Sequence, residues 1–170
     1  MKKVLVIDTS ILCVWLDIPG MEDCGPDADK WNRARVAAKI EAEERENTTF
    51  VLPLASIIET GNHIAQARNY RRERGESLAE LIRKSANQDT PWAAFSDQST
   101  LWTSVKLTEL ADSWPPLAQQ QLSLGDATIK DVAEFYAATG CSVEILTGDA
   151  GLKAYEPRVQ LEIPRRKQRR

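Results

Sequence analysis

The chain opens with an uninterrupted apolar run, Val4 to Ile7, that ends directly in Asp8-Thr9-Ser10. Because apolar and polar residues do not alternate in this run, it predicts a strand buried on both faces. The polar residues that follow are typical of a helix N-cap, and apolar residues then continue at helical spacing to Leu16. A buried strand followed at once by a helix favours an α/β fold with a parallel sheet.

The same order of strand and helix recurs twice along the chain. Thr48–Leu52 is a second β-like run, and Pro53 then opens a helix with an apolar stripe. Near the end, a helix that starts at Asp126 and closes at Gly140 precedes a third buried strand, Val143–Leu146. This alternation of strands and helices predicts a three-layer α/β fold, with a central, mostly parallel sheet flanked by helices.

The remaining segments are assigned from their turn residues and periodicity. We expect residues 1–164 to form a single domain, since this length and an apolar content of 42% suffice for one core. The predicted segments are a loop over Asp17–Asp29, an exposed helix over Lys30–Glu46, a helix break at Gly75, a helix over Ser77–Lys84, a loop over Asn87–Asp97, a helical part of Thr100–Leu122 broken at Trp114-Pro115-Pro116, and a last strand over Val159–Ile163.

Charge is distributed unevenly along the chain. Five of the 22 basic residues lie in Arg165–Arg170, which leaves 17 basic against 25 acidic residues in 1–164, a net charge of −8. We expect the basic segment to be a disordered tail. An acidic body does not attract polyanions through its overall field, so binding of nucleic acid would need local basic patches or bound cations.

The cysteines and the hydropathy pattern indicate the cellular environment in which we expect the protein. Three cysteines without a CxxC pair make a zinc site or a disulfide framework improbable, which favours a reducing, cytoplasmic location. Asp8 interrupts the first apolar run, so that neither a membrane-spanning helix nor a signal peptide is expected there. We expect no membrane partner.

Four acidic residues occupy related places in the predicted fold. Asp8 and Asp149 directly follow buried strands, and Glu59 and Asp126 lie in the opening turns of helices. Ligands of such sheets collect at the carboxyl ends of the strands, so we expect the four side chains to meet at one edge. Each also has a structural alternative, because Asp8 and Asp126 are good N-caps and Glu59 could be a surface residue.

Grouped carboxylates repel one another unless a cation neutralises them. Ligation by oxygen alone suits Mg²⁺ or Mn²⁺, and such ions can activate water for hydrolysis of a phosphodiester. Asp131 is an alternative to Asp126, although on a helix it points about 140° away from it.

The segments around these acids resemble the four acidic motifs of PIN-domain proteins, in order and nearly end to end. The segments are VLVID8TSIL, ASIIE59T, LSLGD126ATI and ILT147GD149AGL. The resemblance implies a PIN-like fold and an endoribonuclease dependent on Mg²⁺ or Mn²⁺, as in the toxins of VapBC-type toxin–antitoxin pairs. It also implies that Asp8, Asp126 and Asp149 hold metal, that Glu59 holds metal or orients water, and that Thr9, Ser10 and Thr147 support them.

Other features suggest partners. Arg68, Arg71, Arg72 and Arg74, taken as the end of the helix that carries Glu59, could contact the phosphates of RNA. His63 on the same helix is interpreted as a structural residue. An antitoxin protein and a homodimer are further expected partners.

Rival functions remain open from the sequence alone. The chain could be an inactive PIN-like module that binds RNA or acts as a scaffold, or a nuclease directed at DNA. A phosphatase that begins with Asp-x-Asp is disfavoured because position 10 is Ser. A receiver domain is disfavoured because the chain lacks an acidic pair after the first strand and a phosphoacceptor Asp after the third.

Overall fold

The structure is a computed structural model, and it describes residues 1–158. The predicted strand over Val159–Ile163 and the basic segment Arg165–Arg170 lie outside these residues. The elements are β1 (Lys3–Ile7), α1 (Thr9–Trp15), β2 (Asp23–Cys24), β3 (Trp31–Asn32), α2 (Arg33–Arg45), β4 (Thr49–Val51), α3 (Leu54–Gln66), α4 (Arg71–Asn87), α5 (Ser104–Gln119), α6 (Leu124–Ala138), β5 (Ser142–Leu146) and α7 (Ala150–Lys153), with short 3-10 helices at Asp27–Asp29 and Phe95–Trp102.

The main sheet has three parallel strands in the order β4-β1-β5. The central strand β1 pairs with both neighbours, so that Val6 lies opposite Val51 on one side and Ile145 on the other. Its side chains alternate between two cores: Leu5 and Ile7 pack with α1 to α4, and Val4 and Val6 pack with α6. The uninterrupted apolar run is explained by these two cores, and the predicted α/β class with flanking helices is confirmed.

The predicted helix break at Gly75 is wrong. The chain leaves α3 at Ala67, which is extended, and enters α4 after Tyr70, whose φ is 56°. Gly75 lies inside α4, where a Cβ would meet nothing within 4 Å. A single glycine costs a helix only about 1 kcal/mol, which the packing of Leu78 and Leu81 into the core outweighs.

The predicted break at Trp114-Pro115-Pro116 is also wrong, because α5 continues through both prolines to Gln119. Each proline removes one amide donor. The carbonyls left without that donor belong to Ala111 and Asp112, which are exposed and can bond to water. The indole of Trp114 donates to the carbonyl of Leu122 (3.1 Å) and ties the end of α5 to the following turn.

The segment predicted as a loop over Asp17–Asp29 contains regular structure at its end. Its β2 strand pairs with β3 in a two-stranded antiparallel hairpin, with Cys24 opposite Trp31. The helix predicted from Lys30 therefore begins only at Arg33, where the Asn32 side chain caps α2 by accepting from the Arg35 amide (2.9 Å). None of the helices among residues 1–158 is both long and apolar enough to cross a membrane.

A buried charge cluster fixes α2 to the sheet at the end opposite the acidic residues described below. The carboxylate of Glu43, whose side chain is 4% exposed, accepts from Lys3 (2.5 Å), Lys39 (2.7 Å) and Thr48 (2.6 Å). Burial opposes ionisation, but these donors prevail and lower the pKa of Glu43 to about 2. The ionised form is therefore the one that stabilises the fold.

We expect Glu43→Gln to lower the free energy of unfolding by about 2 kcal/mol at pH 7. Because the folded-state pKa lies below the ordinary glutamate pKa of 4.5, this contribution to stability is complete above pH 4.5 and disappears as the pH falls toward 2. Urea unfolding of both proteins between pH 2 and pH 7 measures the difference. Glu41→Gln, which alters an exposed pair with Arg45, is the control and should have little effect. A difference that is constant with pH would contradict the explanation.

Candidate functional site

Asp8 is fixed where β1 ends. Its amide donates to the Leu146 carbonyl of β5 (3.1 Å), and its side chain is almost completely buried. Its Oδ2 accepts from the Ser10 amide (3.2 Å), the Ser10 hydroxyl (2.6 Å) and the Thr147 hydroxyl (2.8 Å). Asp8 is thus the N-cap of α1, as the structural alternative predicted, and it is also held toward the end of β5.

Asp149 lies at the same edge of the sheet. The Asp149 amide donates to the hydroxyl of Thr147 (2.9 Å), which in turn donates to Asp8. The Oδ1 atom of Asp149 accepts from the amides of Gly151 (2.6 Å) and Leu152 (3.3 Å) at the start of α7. Thr147 therefore connects the two aspartates that follow neighbouring strands.

Glu59 reaches this edge from α3. Its Oε2 accepts from the hydroxyl of Thr9 (2.8 Å), and its Oε1 lies against the backbone of Gly125 in the first turn of α6. A Cβ at position 125 would be 2.0 Å from Oε1. The lack of a side chain at Gly125 lets the carboxylate lie directly against α6, next to Asp126.

Asp126 completes the group. The Ser123 hydroxyl caps α6, accepting from the Asp126 amide (3.0 Å) and donating to Asp126 Oδ2 (2.8 Å). Burial raises the pKa of Asp126, the bond from Ser123 opposes this, and the charges of Asp8, Asp149 and Glu59 raise the pKa further. The charges of the other three acids therefore act on Asp126.

The four carboxylates share one hydrogen-bonding pattern. In each, a single oxygen accepts from a protein donor, and the other oxygen accepts from no donor within residues 1–158. One oxygen is therefore oriented and the other is available to an outside partner. The donor set contains oxygen only, which fits a hard divalent cation that retains water in its shell.

The side chains do not form a closed ligand cage. In the part of the chain that the structure describes, no group of three or more His, Cys, Asp and Glu residues is arranged so that it could hold a metal ion. The available oxygens suit a hydrated ion or one shared with a substrate phosphate, as Mg²⁺ commonly binds.

The other predicted site residues fall into two groups. Thr9, Ser10 and Thr147 all donate to the acidic side chains. Asp131 faces a different recess, which it lines with Lys106 and Glu134, and its carboxylate lies 3.5 Å from the Lys130 ammonium. The 140° separation on α6 accounts for this difference.

The predicted arginine run is not the end of the helix that carries Glu59. Arg71, Arg72 and Arg74 belong to the start of α4, because the chain turns at 67–70. Arg74 binds the carboxylate of Asp17 (2.5 Å), and Arg71 donates to the carbonyl of Ala67 (2.5 Å). Arg72 pairs with Glu76 on the same helix, and Arg68 is exposed in the turn.

The β2–β3 hairpin contributes to the site although no sequence pattern predicts it. A Cβ at Gly148 would lie 2.6 Å from the Cys24 sulfur and 2.9 Å from the Gly25 amide nitrogen. The Gly148 amide also donates to the Ser10 hydroxyl (3.0 Å). The hairpin thus forms one wall of the site. This contact joins segments that are distant in the sequence, so no local sequence pattern indicates it.

Gly125→Ala is expected to displace Glu59 while the fold is retained. The new methyl group would occupy the place of Oε1, and the flexible Glu59 side chain can swing away at little cost. We expect the free energy of unfolding to change by less than about 1 kcal/mol, and any activity of the site to fall as far as in Glu59→Gln. Denaturation and activity assays on the two variants and the double variant test this. If the double variant loses as much activity as the two single losses combined, Gly125→Ala does not act by displacing Glu59.

Comparison of the chain with protein-family models, with curated proteins and with solved structures finds no match.

Proposed function

We propose that the protein is a metal-dependent endoribonuclease with a PIN-like fold that hydrolyses RNA phosphodiester bonds. The observation that carries the proposal is the group of four carboxylates at one sheet edge, each with one oxygen available to a partner. Repulsion within such a group is costly unless a cation belongs there. The four PIN-like motifs in order along the sequence support the same conclusion.

Asp8, Asp126 and Asp149 would hold Mg²⁺ or Mn²⁺, and Glu59 would hold the ion or orient a water molecule. The bound ion would supply a water of lowered pKa and would neutralise charge on the phosphate. Glu59 is suited to orienting water because Thr9 fixes Oε2, whereas Oε1 has no donor within residues 1–158.

The residues around the carboxylates hold them in position. Ser10 and Thr147 donate to the same oxygen of Asp8, which directs the opposite oxygen away from both hydroxyls. Thr147 also accepts from the Asp149 amide, so one hydroxyl sets the spacing of two aspartates. Positioning of this kind lowers the reorganisation needed when charge develops during reaction.

Contacts with the substrate backbone are proposed for fewer arginines than the sequence suggested. Arg68 and Arg72 are exposed, and the Arg72 side chain is 88% exposed despite its pair with Glu76. Arg71 and Arg74 are engaged with the protein itself. An antitoxin partner, a homodimer and a cytoplasmic location belong to the proposal on the strength of the motif resemblance and the cysteine content alone.

The proposal is tested by incubating end-labelled single-stranded RNA with the protein in Mg²⁺, Mn²⁺ or EDTA. We expect cleavage with either ion, none in EDTA, and a large loss in Asp149→Asn. Asp131→Asn is the matched control, since it removes a carboxylate from the same helix as Asp126 but outside the group, and it should cleave like the wild type. Absence of cleavage by the wild type, or equal cleavage by Asp149→Asn, would refute the proposal. Preferred cleavage of DNA of the same sequence would favour the DNA-directed alternative.

A further inference from the structure

The β2–β3 hairpin carries an aromatic ring beside the wall that it forms for the site. Trp31 lies opposite Cys24 in the hairpin and packs in part against the core. A Cβ at Gly25 would lie 3.6 Å from the Trp31 Cδ1 atom and 3.5 Å from the Gly148 carbonyl oxygen. Gly148 directly precedes Asp149 in the sequence. The indole ring is therefore close to the loop from which Asp149 enters the site.

Arg35 lies over this ring. Its guanidinium carbon is 3.8 Å from the centroid of the Trp31 ring. Its Nη1 donates to the Lys30 carbonyl (2.8 Å) and pairs with the Asp29 carboxylate (2.6 Å). At the other end of the residue, the Asn32 side chain that caps α2 accepts from the Arg35 amide (2.9 Å). The plane and the direction of the guanidinium are thus set before any ligand binds.

One edge of the Arg35 guanidinium has no partner. Its Nε and Nη2 groups donate to no atom of residues 1–158, and the side chain is 42% exposed. The same edge of Arg74 is occupied, because both groups donate to Asp17. A free Nε–Nη2 edge matches two oxygens of a phosphate. The pair with Asp29 leaves this edge available, and an exposed pair of that kind contributes little.

We propose that Arg35 binds a phosphate of the RNA strand near the phosphate that the carboxylates hold, through its Nε and Nη2 groups. This inference rests on the proposed function and adds a second contact to the substrate backbone. Because Trp31 already orients the guanidinium, binding orders the side chain at little entropic cost. Residues 1–164 carry a net charge of −8, so a polyanion needs a local cation such as Arg35 beside the site.

Equilibrium binding of a labelled single-stranded RNA, followed by fluorescence anisotropy, tests this contact. Ca²⁺ replaces Mg²⁺ in the titration, because it also binds carboxylate oxygens and would neutralise the site. We expect Arg35→Gln to bind at least about fivefold more weakly than the wild type. We also expect the slope of log K against log salt concentration to fall by about 0.7, the value for one lost phosphate contact on a single strand.

Arg45→Gln is the matched control. Arg45 is an exposed arginine at the last position of α2, where it pairs with Glu41, so the substitution removes the same charge far from the hairpin. Its affinity and its salt slope should equal those of the wild type. Arg35→Lys keeps the charge but loses the planar edge, so it should keep the slope and bind with intermediate affinity.

Cleavage kinetics in Mg²⁺ provide a second measurement of the same contact. We expect Arg35→Gln to raise KM and to leave kcat within about twofold of the wild type, because the contact is made equally in the bound substrate and in the transition state. Unfolding in urea should be nearly unchanged, since the only ion pair that the variant loses is the exposed one with Asp29.

Unchanged affinity in Arg35→Gln, weaker affinity with an unchanged salt slope, or an equal effect of Arg45→Gln would overturn the proposal. So would the absence of saturable RNA binding by the wild type. Because the titration requires no cleavage, the two proposals can fail separately. A protein that binds RNA through Arg35 without cleaving it would refute the nuclease and support the contact. Cleavage with equal KM and equal affinity in the wild type and Arg35→Gln would refute the contact alone.

Discussion

Asp8→Asn is expected to reduce RNA cleavage at least about 100-fold while the protein stays folded. Asparagine caps helices as well as aspartate does, so α1 should keep its N-cap bond from the Ser10 amide. The amide oxygen would accept from Ser10 and Thr147, which places the NH₂ group where the available carboxylate oxygen stood. An NH₂ group is neither charged nor a ligand for Mg²⁺, so we expect cleavage to be lost although the fold is retained.

Stability measurements separate this effect from misfolding. In EDTA, the free energy of unfolding of Asp8→Asn should equal or exceed that of the wild type, because one of the charges that repel Asp126 is gone. Thermal unfolding followed by circular dichroism measures this difference. A strongly destabilised variant would mean that the negative charge of Asp8 serves the fold, and cleavage at the wild-type rate would exclude Asp8 from the site.

Gly148→Ala is expected to lower the free energy of unfolding by about 2–3 kcal/mol and to impair the site as well. Its Cβ would collide with the Cys24 sulfur and with the backbone of Gly25, which cannot turn away as a side chain can. The hairpin would have to shift, and with it the Gly148 bond to Ser10. Urea unfolding and the cleavage assay measure the two effects.

A double-mutant cycle with Cys24→Ala tests the cause of this destabilisation. Removing the sulfur relieves the shortest contact but leaves the contact with the backbone of Gly25. The double variant should therefore recover only part of the stability that Gly148→Ala loses. Gly75→Ala is the control, because position 75 is inside α4 with open space around it. We expect this substitution to raise the free energy of unfolding by about 0.5–1 kcal/mol. Full additivity in the cycle would show that the hairpin does not contact Gly148 in solution.

The sequence predicted the central strand and the grouping of the acids because both depend on local patterns. The run Val4–Ile7 is buried on both faces, Asp8 and Asp149 come after strands, and Asp126 lies in the first turn of α6. Glu59 lies in the second turn of α3, further into its helix than the sequence suggested. The topology of a parallel sheet then brings these positions together without further information. Asp8 shows that two interpretations are compatible for one residue, since it is the N-cap of α1 and its carboxylate is also bonded to Thr147 beyond the end of β5.

The predictions that failed required knowledge of tertiary packing. Gly75 and Pro115 are helix breakers by propensity, yet both lie within helices. Core contacts of α4 outweigh one glycine, and exposed carbonyls on α5 can bond to water where a proline removes a donor. The boundary between α3 and α4 also differs from the predicted one, so Arg71, Arg72 and Arg74 lie on α4 and not on the helix that carries Glu59. Arg74 pairs with Asp17, which is distant in the sequence.

Calorimetric titration with Mn²⁺ tests most directly whether the four carboxylates form a cation site. The wild type is expected to bind Mn²⁺ with saturable heat, Asp8→Asn and Asp149→Asn to bind at least about tenfold more weakly, and Asp131→Asn to bind like the wild type. If the wild type takes up no Mn²⁺, or if Asp8→Asn and Asp149→Asn bind it as tightly as the wild type does, the carboxylates are not a metal site and the proposed nuclease mechanism is wrong.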